Sequence, residues 1–184
     1  MSERFHLLAY LRADLRRAIS LQGGDPDAKG AARFWLGLFA PRFAPVLLCR
    51  LASWLAACRL KPLAKLVSLI NFVIFGVEIA LQAEIGPGLF FPHSQGIVIG
   101  ALRIGSNAVI YQGVTLGAKE LDFAYNAASR PVLGNNVVVG SGAKVLGGIT
   151  LGDGSRIGAN AVVVDSIPSG CLAVGIPAKV ISKT

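Results

Sequence analysis

Charge, histidine and cysteine are all scarce in this chain, and each scarcity excludes something. Only 15% of its 184 residues are Asp, Glu, Lys or Arg, against 53% hydrophobic. That balance excludes a disordered tail and a coiled coil, and leaves an unusually apolar globular chain. Cys49, Cys58 and Cys171 are an odd number without C-x-x-C spacing. They build neither a disulfide framework nor a zinc knuckle, and read as reduced thiols of a cytoplasmic protein. The amino-terminal "MSERFHLLAYLRADLRRAIS" lacks the apolar block and cleavage site of a signal peptide, so no export is expected. "LVSLINFVIFGV", residues 66–77, is too short to span a bilayer. It is expected to be a buried helix, or else part of a basic amphipathic surface resting on a membrane. P-loop, Rossmann, nucleic-acid-binding and Ser-His-Asp hydrolase patterns are absent.

What the chain does have is a surplus of cations and a change of texture near residue 83. Eighteen Lys and Arg against ten Asp and Glu give a net charge of +8. Such a surplus suits an anionic partner: a nucleotide-bearing cofactor, an acidic polymer or a lipid surface. Residues 1–82 form helix-favouring runs, with Pro41 and Pro45 as breaks and Pro62 after them. From 83 to 184 glycine becomes frequent and a period appears. Ile104, Ile110 and Leu116 are six apart, and so are Leu133, Val139, Val145, Leu151, Ile157 and Val163. A period of six fits neither an amphipathic helix nor a lone strand. It describes short strands joined by regular corners, with an aliphatic residue pointing inward and Gly beside it where the backbone turns. That is the hexapeptide pattern of a parallel β-helix. Residues 85–117 supply nearly two coils and 133–168 two more. Between them "AKELDFAYNAASRPV" breaks the register, so residues 118–132 are expected to leave the stack as a loop with a functional purpose.

The repeat, with "HSQGIVIG", "QGVTLG", "GSGAKVLGGITLGDGSRIGANAVVV" and "VGIPAKVI", resembles the left-handed β-helix acyltransferases, in their serine acetyltransferase branch. Some of that group acetylate extracellular polysaccharides of the colanic acid type. The resemblance implies a mainly β fold, a left-handed parallel β-helix of hexapeptide repeats preceded by an α-helical amino-terminal region. It also implies acetyl-CoA as co-substrate, no metal, and a homotrimer, alone or paired with a second trimer, with active sites between neighbouring β-helices. His93 stands where the family has its general base, and imidazole suits that task because it titrates near neutrality. Glu78, fifteen residues earlier, stands in the column of the acid that orients the base, although it reads equally as a solvated carboxylate. By position, Gly117 and Ala118 lie beside the thioester and Ser141 and Ala159 along the pantetheine arm. Arg156, with Lys144 and Lys179, lies near the phosphates. A zinc carbonic anhydrase of the same fold is excluded, since it needs three histidine ligands and the repeat region has one. A non-catalytic scaffold is disfavoured by the retained His93.

Departures from the serine-using pattern set the expectation for the acceptor. Pro92 replaces an Asp, Ala80 a His, Ser129 an Arg, and Arg130 a His. A rim of Phe90, Phe91 and Pro92 could stack on a pyranose ring, with Phe123 and Tyr125 of the loop either as a wall or as anchors of the loop to the next subunit. The expected function is therefore O-acetylation of a saccharide hydroxyl in surface or exopolysaccharide synthesis, with Pro92 and Arg130 in contact with the acceptor. The alternative is serine O-acetylation in cysteine biosynthesis. Arg12, Arg16, Arg17, Arg33, Arg42, Arg50, Arg59, Lys61 and Lys65, set among apolar residues, invite peripheral contact with the inner face of the cytoplasmic membrane. No nucleic-acid partner is expected.

Overall fold

The six-residue period closes into a triangle. In the computed structural model, which describes residues 7–26, 37, 40 and 42–183, the periodic aliphatics from Ile104 to Val163 are all at most 3% exposed. Each such burial is worth about 1.5–3 kcal/mol relative to exposure. They take three faces in rotation. The first coil is β1 (Val77–Ile79), β2 (Glu84–Ile85) and the bridge residue Phe90. The second is β3 (Ile97–Ile99), β4 (Arg103–Ile104) and β5 (Val109–Ile110). The third is β6 (Thr115–Gly117), β7 (Val132–Leu133) and β8 (Val138–Val139), and the fourth β9 (Lys144–Leu146), β10 (Thr150–Leu151) and β11 (Arg156–Ile157). The last is β12 (Val162–Val163), the bridge residue Ile167 and β13 (Cys171–Gly175), on which β14 (Ala178–Lys183) folds back antiparallel.

The first face thus reads β1-β3-β6-β9-β12, the second β2-β4-β7-β10 and the third β5-β8-β11-β13-β14. All contacts between coils are parallel, and the fold is a mainly β, left-handed parallel β-helix, with three helices ahead of it among the described residues. Two of the three corners are made by a left-handed residue at every level. The second-to-third corner uses Gly88, Asn107, Asn136, Gly154 and Gly170, and the third-to-first uses Gly96, Gly113, Gly142 and Asn160. Only Gly and Asn take that conformation cheaply. At Gly88 space decides as well, because a Cβ there would lie 2.2 Å from Asn107 Oδ1.

The helices are α1 (Leu7–Leu21), α2 (Ala44–Ala57) and α3 (Lys61–Phe75). Pro45 and Pro62 occupy the first turns of α2 and α3, where a missing N–H costs nothing, so they open helices rather than break them. Pro41 and Arg33 lie outside the described residues. α3 stops at Gly76, in the left-handed conformation, and the chain enters β1 directly, so the first coil begins at Val77.

The expectation of a buried helix over residues 66–77 is corrected. Only Ala64 and Asn71 of α3 are buried, while Leu66, Leu69, Phe72, Val73 and Ile74 are more than half exposed within the single chain. The core is already filled by coil residues, so α3 packs on α2 through one narrow stripe and presents its other side outward. Among the described residues, no helix is long and apolar enough to cross a membrane. Arg50, counted above among the membrane-facing cations, is 1% exposed and has no access to lipid.

Candidate active site

The third-to-first corner repeats vertically, and its backbone forms a ladder. Gly113 N donates to Gln95 O at 2.9 Å, Gly142 N to Gln112 O at 2.8 Å and Asn160 N to Ser141 O at 2.8 Å. His93 precedes the lowest rung by two residues and is exposed. Ser141 and Ala159 belong to the same corner two and three levels higher. Lys144 bends toward it, its Nζ donating to Gly113 O. One edge of the β-helix therefore carries His93, Ser141, Ala159 and the Lys144 ammonium.

Glu78 stands next to that edge, at the foot of the outward column of the first face. The register runs from Glu78 to Val98, Thr115, Lys144 and Val162. Glu78 is exposed, and no hydrogen bond or ion pair joins it to His93 among the described residues. Gly117 and Ala118 lie at the other edge of the first face, where β6 ends. Gly117 O accepts from Gly147 N at 2.8 Å, and a Cβ on Gly117 would meet nothing within 4 Å. Arg156 and Lys179 are exposed on the third face, Arg156 in register between Val138 and Leu172 and Lys179 opposite Val174. A single chain thus unites His93 with the corner residues and keeps the remaining candidates on two other surfaces.

The loop between β6 and β7 is internally cross-linked. Arg130 Nε donates to Asp122 Oδ2 at 3.0 Å, its Nη2 to Asp122 O at 2.6 Å and its Nη1 to Gly100 O at 3.3 Å. The guanidinium also lies 4.4 Å from the centroid of the Tyr125 ring. The Tyr125 hydroxyl donates to Ala101 O at 2.6 Å, and burial raises its pKa against the opposing charge of Arg130. Leu121 and Phe123 at the tip are 89% and 95% exposed.

The aromatic rim expected beside His93 is not there. Phe90 and Phe91 are 6% and 1% exposed, because they turn inward to close the bottom of the core, and Pro92 is half-buried. A pyranose ring has no aromatic face to stack on at that place.

A buried ion pair escaped the sequence reading. Asp14 of α1 and Arg50 of α2 are 0% and 1% exposed, and their charges meet through Arg50 Nε and Asp14 Oδ2 at 2.7 Å and Arg50 Nη2 and Asp14 Oδ1 at 3.0 Å. The available signal was a charge inside each apolar stripe: Asp14 among Leu11, Leu15 and Ala18, and Arg50 beside Val46 and Cys49. Burial pushes the neighbouring Cys49 thiol up to about 11, in spite of Arg50.

Comparison with known proteins resolves the branch. The family model "Bacterial transferase hexapeptide (six repeats)" matches residues 130–165. A serine acetyltransferase of Helicobacter pylori is 44% identical over 160 residues, covering 86% of this chain and 91% of that protein. The chain belongs to the serine acetyltransferase family. Its members are hexapeptide-repeat acyltransferases, and this chain is one. A Synechococcus elongatus member is also 44% identical, over 87% of this chain, and the chain spans 64% of that relative's length. Among solved structures, a Brucella abortus serine acetyltransferase in complex with coenzyme A superposes with a TM-score of 0.80 at 30% identity. It covers 96% of this chain and 68% of its own.

These relatives overturn the saccharide reading and its colanic acid resemblance, since they carry the serine acetyltransferase name over most of this chain. The physical reason is visible in the site. The inference rested on an exposed aromatic rim, which is buried, and on a few altered columns at the edge, whereas the identity extends over the whole fold.

Proposed function

We propose that this chain is a serine O-acetyltransferase, moving the acetyl group of acetyl-CoA to the hydroxyl of L-serine. The observation that carries the reading is the exposed position of His93 at the foot of the corner ladder, in a chain of this family. The serine oxygen attacks the thioester carbonyl carbon, the new C–O bond forms and the C–S bond breaks. His93 takes the hydroxyl proton and returns it to the departing CoA thiolate, which leaves as the thiol. Glu78, on the adjoining outward column, orients the imidazole. Ser141 and Ala159 line the pantetheine arm along the ladder, with Lys144 beside it.

The separation of Gly117 and Ala118 from the His93 edge supports a trimer. In that assembly the first-face edge of one chain lies against the His93 edge of the next, and the thioester sits between them. Arg156 and Lys179 extend the donor site toward the CoA phosphates. Arg130 is engaged within its own loop and shapes the acceptor side through that loop rather than through a free guanidinium.

The test is release of CoA thiol from acetyl-CoA with L-serine, L-threonine or no acceptor. L-serine is expected to give kcat/KM of ~10⁴ M⁻¹s⁻¹ or more, the range of a cognate substrate. Thiol release no faster with L-serine than without acceptor would refute the assignment.

A further inference from the structure

The lowest coil of a β-helix has no coil beneath it, and its backbone groups there need other partners. At the second-to-third corner the stacking rule is regular. Asn107 N donates downward to Pro87 O at 2.8 Å and Asn136 N to Ser106 O at 2.7 Å. Ile104 O in turn accepts from Gly86 N below it at 2.8 Å, and Leu133 O from Gly105 N at 2.9 Å. In the first coil the equivalent groups are Gly88 N and Ile85 O, and both find the Asp14–Arg50 pair. Asp14 Oδ1 accepts from Gly88 N at 2.7 Å and from Leu89 N at 2.8 Å. Arg50 Nη1 donates to Ile85 O at 2.6 Å and Nη2 to Gly86 O at 2.6 Å. Two helical side chains thus stand in for the missing coil, one as acceptor and the other as donor, and their mutual ion pair satisfies what remains.

We propose that Asp14 and Arg50 form a positioning clamp for His93, rather than a stabilising pair alone. The clamped corner leads into the catalytic turn without a flexible link. Leu89, held by Asp14, is followed by Phe90 and Phe91, buried in the core, and by half-buried Pro92, whose ring fixes its own φ. His93 comes next. Its ring is exposed and, among the described residues, no hydrogen bond within the single chain holds it, so the placement of its backbone is inherited from this segment, and Glu78 acts only on the ring's orientation. Displacement of a reacting group by about 1 Å can cost on the order of a hundredfold in rate. The helical region thereby sets the position of the base through the backbone of the first coil. The proposal rests on the reading of His93 as general base.

The experiment uses the full chain and four variants: Asp14→Ala, Asp14→Asn, Arg50→Lys and the control Asn71→Ala. Asn71 is also buried, and its Nδ2 donates to Pro45 O at the α2–α3 junction, away from the corner. Turnover with L-serine is measured well below each melting temperature, alongside the His93 Cε1–H resonance of ¹³C-histidine-labelled protein, which reports on the ring without catalysis. Asp14→Ala is expected to lower kcat by roughly tenfold to a hundredfold with the KM for acetyl-CoA little changed, and to split or broaden the His93 signal. Asp14→Asn retains an acceptor for the two amides and should recover part of kcat. Arg50→Lys, which loses the carbonyl contacts, should fall between, and Asn71→Ala should lose stability only. If Asp14→Ala does not fold, Arg50→Lys and Asp14→Asn decide. Wild-type kcat and an unaltered His93 signal in the folded variants, or an equal fall of kcat in Asn71→Ala, would overturn the clamp. Should wild type fail to use L-serine while the His93 signal still responds to Asp14, the acceptor assignment fails and the clamp stands.

Discussion

The Arg130 guanidinium pairs with the Asp122 carboxylate at 3.0 Å across the base of the extruded loop, and both side chains are nearly covered. Tyr125 closes the arrangement from above the guanidinium. Arg130→Ala is therefore expected to cost about 1.5–3 kcal/mol, the scale of hydrogen bonds to a charged group, and to speed proteolysis within residues 119–126. Thermal melts and limited proteolysis measure both. A variant as stable and as resistant as wild type would show that the pairing holds nothing in place.

Loss of His93, the proposed general base, is expected to be severe and local. His93→Ala should reduce kcat by about 10²–10⁴-fold while leaving the fold and acetyl-CoA binding intact. Glu78→Gln should cost less, since Glu78 is exposed and water can take over part of its orienting role. Steady-state kinetics with calorimetric titration of the donor checks both. Retention of more than about a tenth of the wild-type rate in His93→Ala would remove the residue from the mechanism.

Arg156 and Lys179 share the third face, and their proposed duty is to the donor's phosphates. Arg156→Ala should raise the KM for acetyl-CoA and leave kcat nearly unchanged, the pattern of lost uniform binding. Acetyl-dephospho-CoA is the control substrate. Equal discrimination between the two donors by wild type and variant would show that Arg156 does not read that phosphate.

Cys49 and Cys58 lie on the same helical stretch but should differ in reactivity. Cys58 is exposed, whereas burial lifts the Cys49 thiol from 9.0 to about 11. In the native protein an alkylating reagent should label Cys58 rapidly and Cys49 only on unfolding, as mass spectrometry of timed samples would reveal. The same shift has a defined sign in stability. The folded state favours the neutral thiol, so this contribution is complete below pH 9 and is lost as pH rises toward 11. Denaturant melts across that window should show the loss, and Cys49→Ala should reduce its slope.

Part of this molecule was legible from the sequence because it depends on local repetition. A six-residue period with Gly or Asn at the corners permits little besides a stacked coil, and each periodic aliphatic residue from Ile104 to Val163 is buried as that period requires. The interruption after Gly117 was equally visible, since a residue run that breaks the register cannot remain in the stack. The proposal of His93 as general base came from the motif around it, and the structure adds that the residue is exposed at the foot of a corner. Tertiary structure decided the rest, through contacts between residues far apart in the chain. Phe90 and Phe91 read as an exposed rim until the bottom of the core was seen to require them. Arg130 read as a substrate contact until the fold of its loop brought Asp122 and Tyr125 to it. Arg50 read as a membrane-facing cation and Asp14 went unread, and only the absent coil beneath Ile85–Leu89 explains why two charges are buried together there. A period in sequence fixes which way a side chain points within its own strand or helix; which polar groups are left without partners is settled only when separate elements meet.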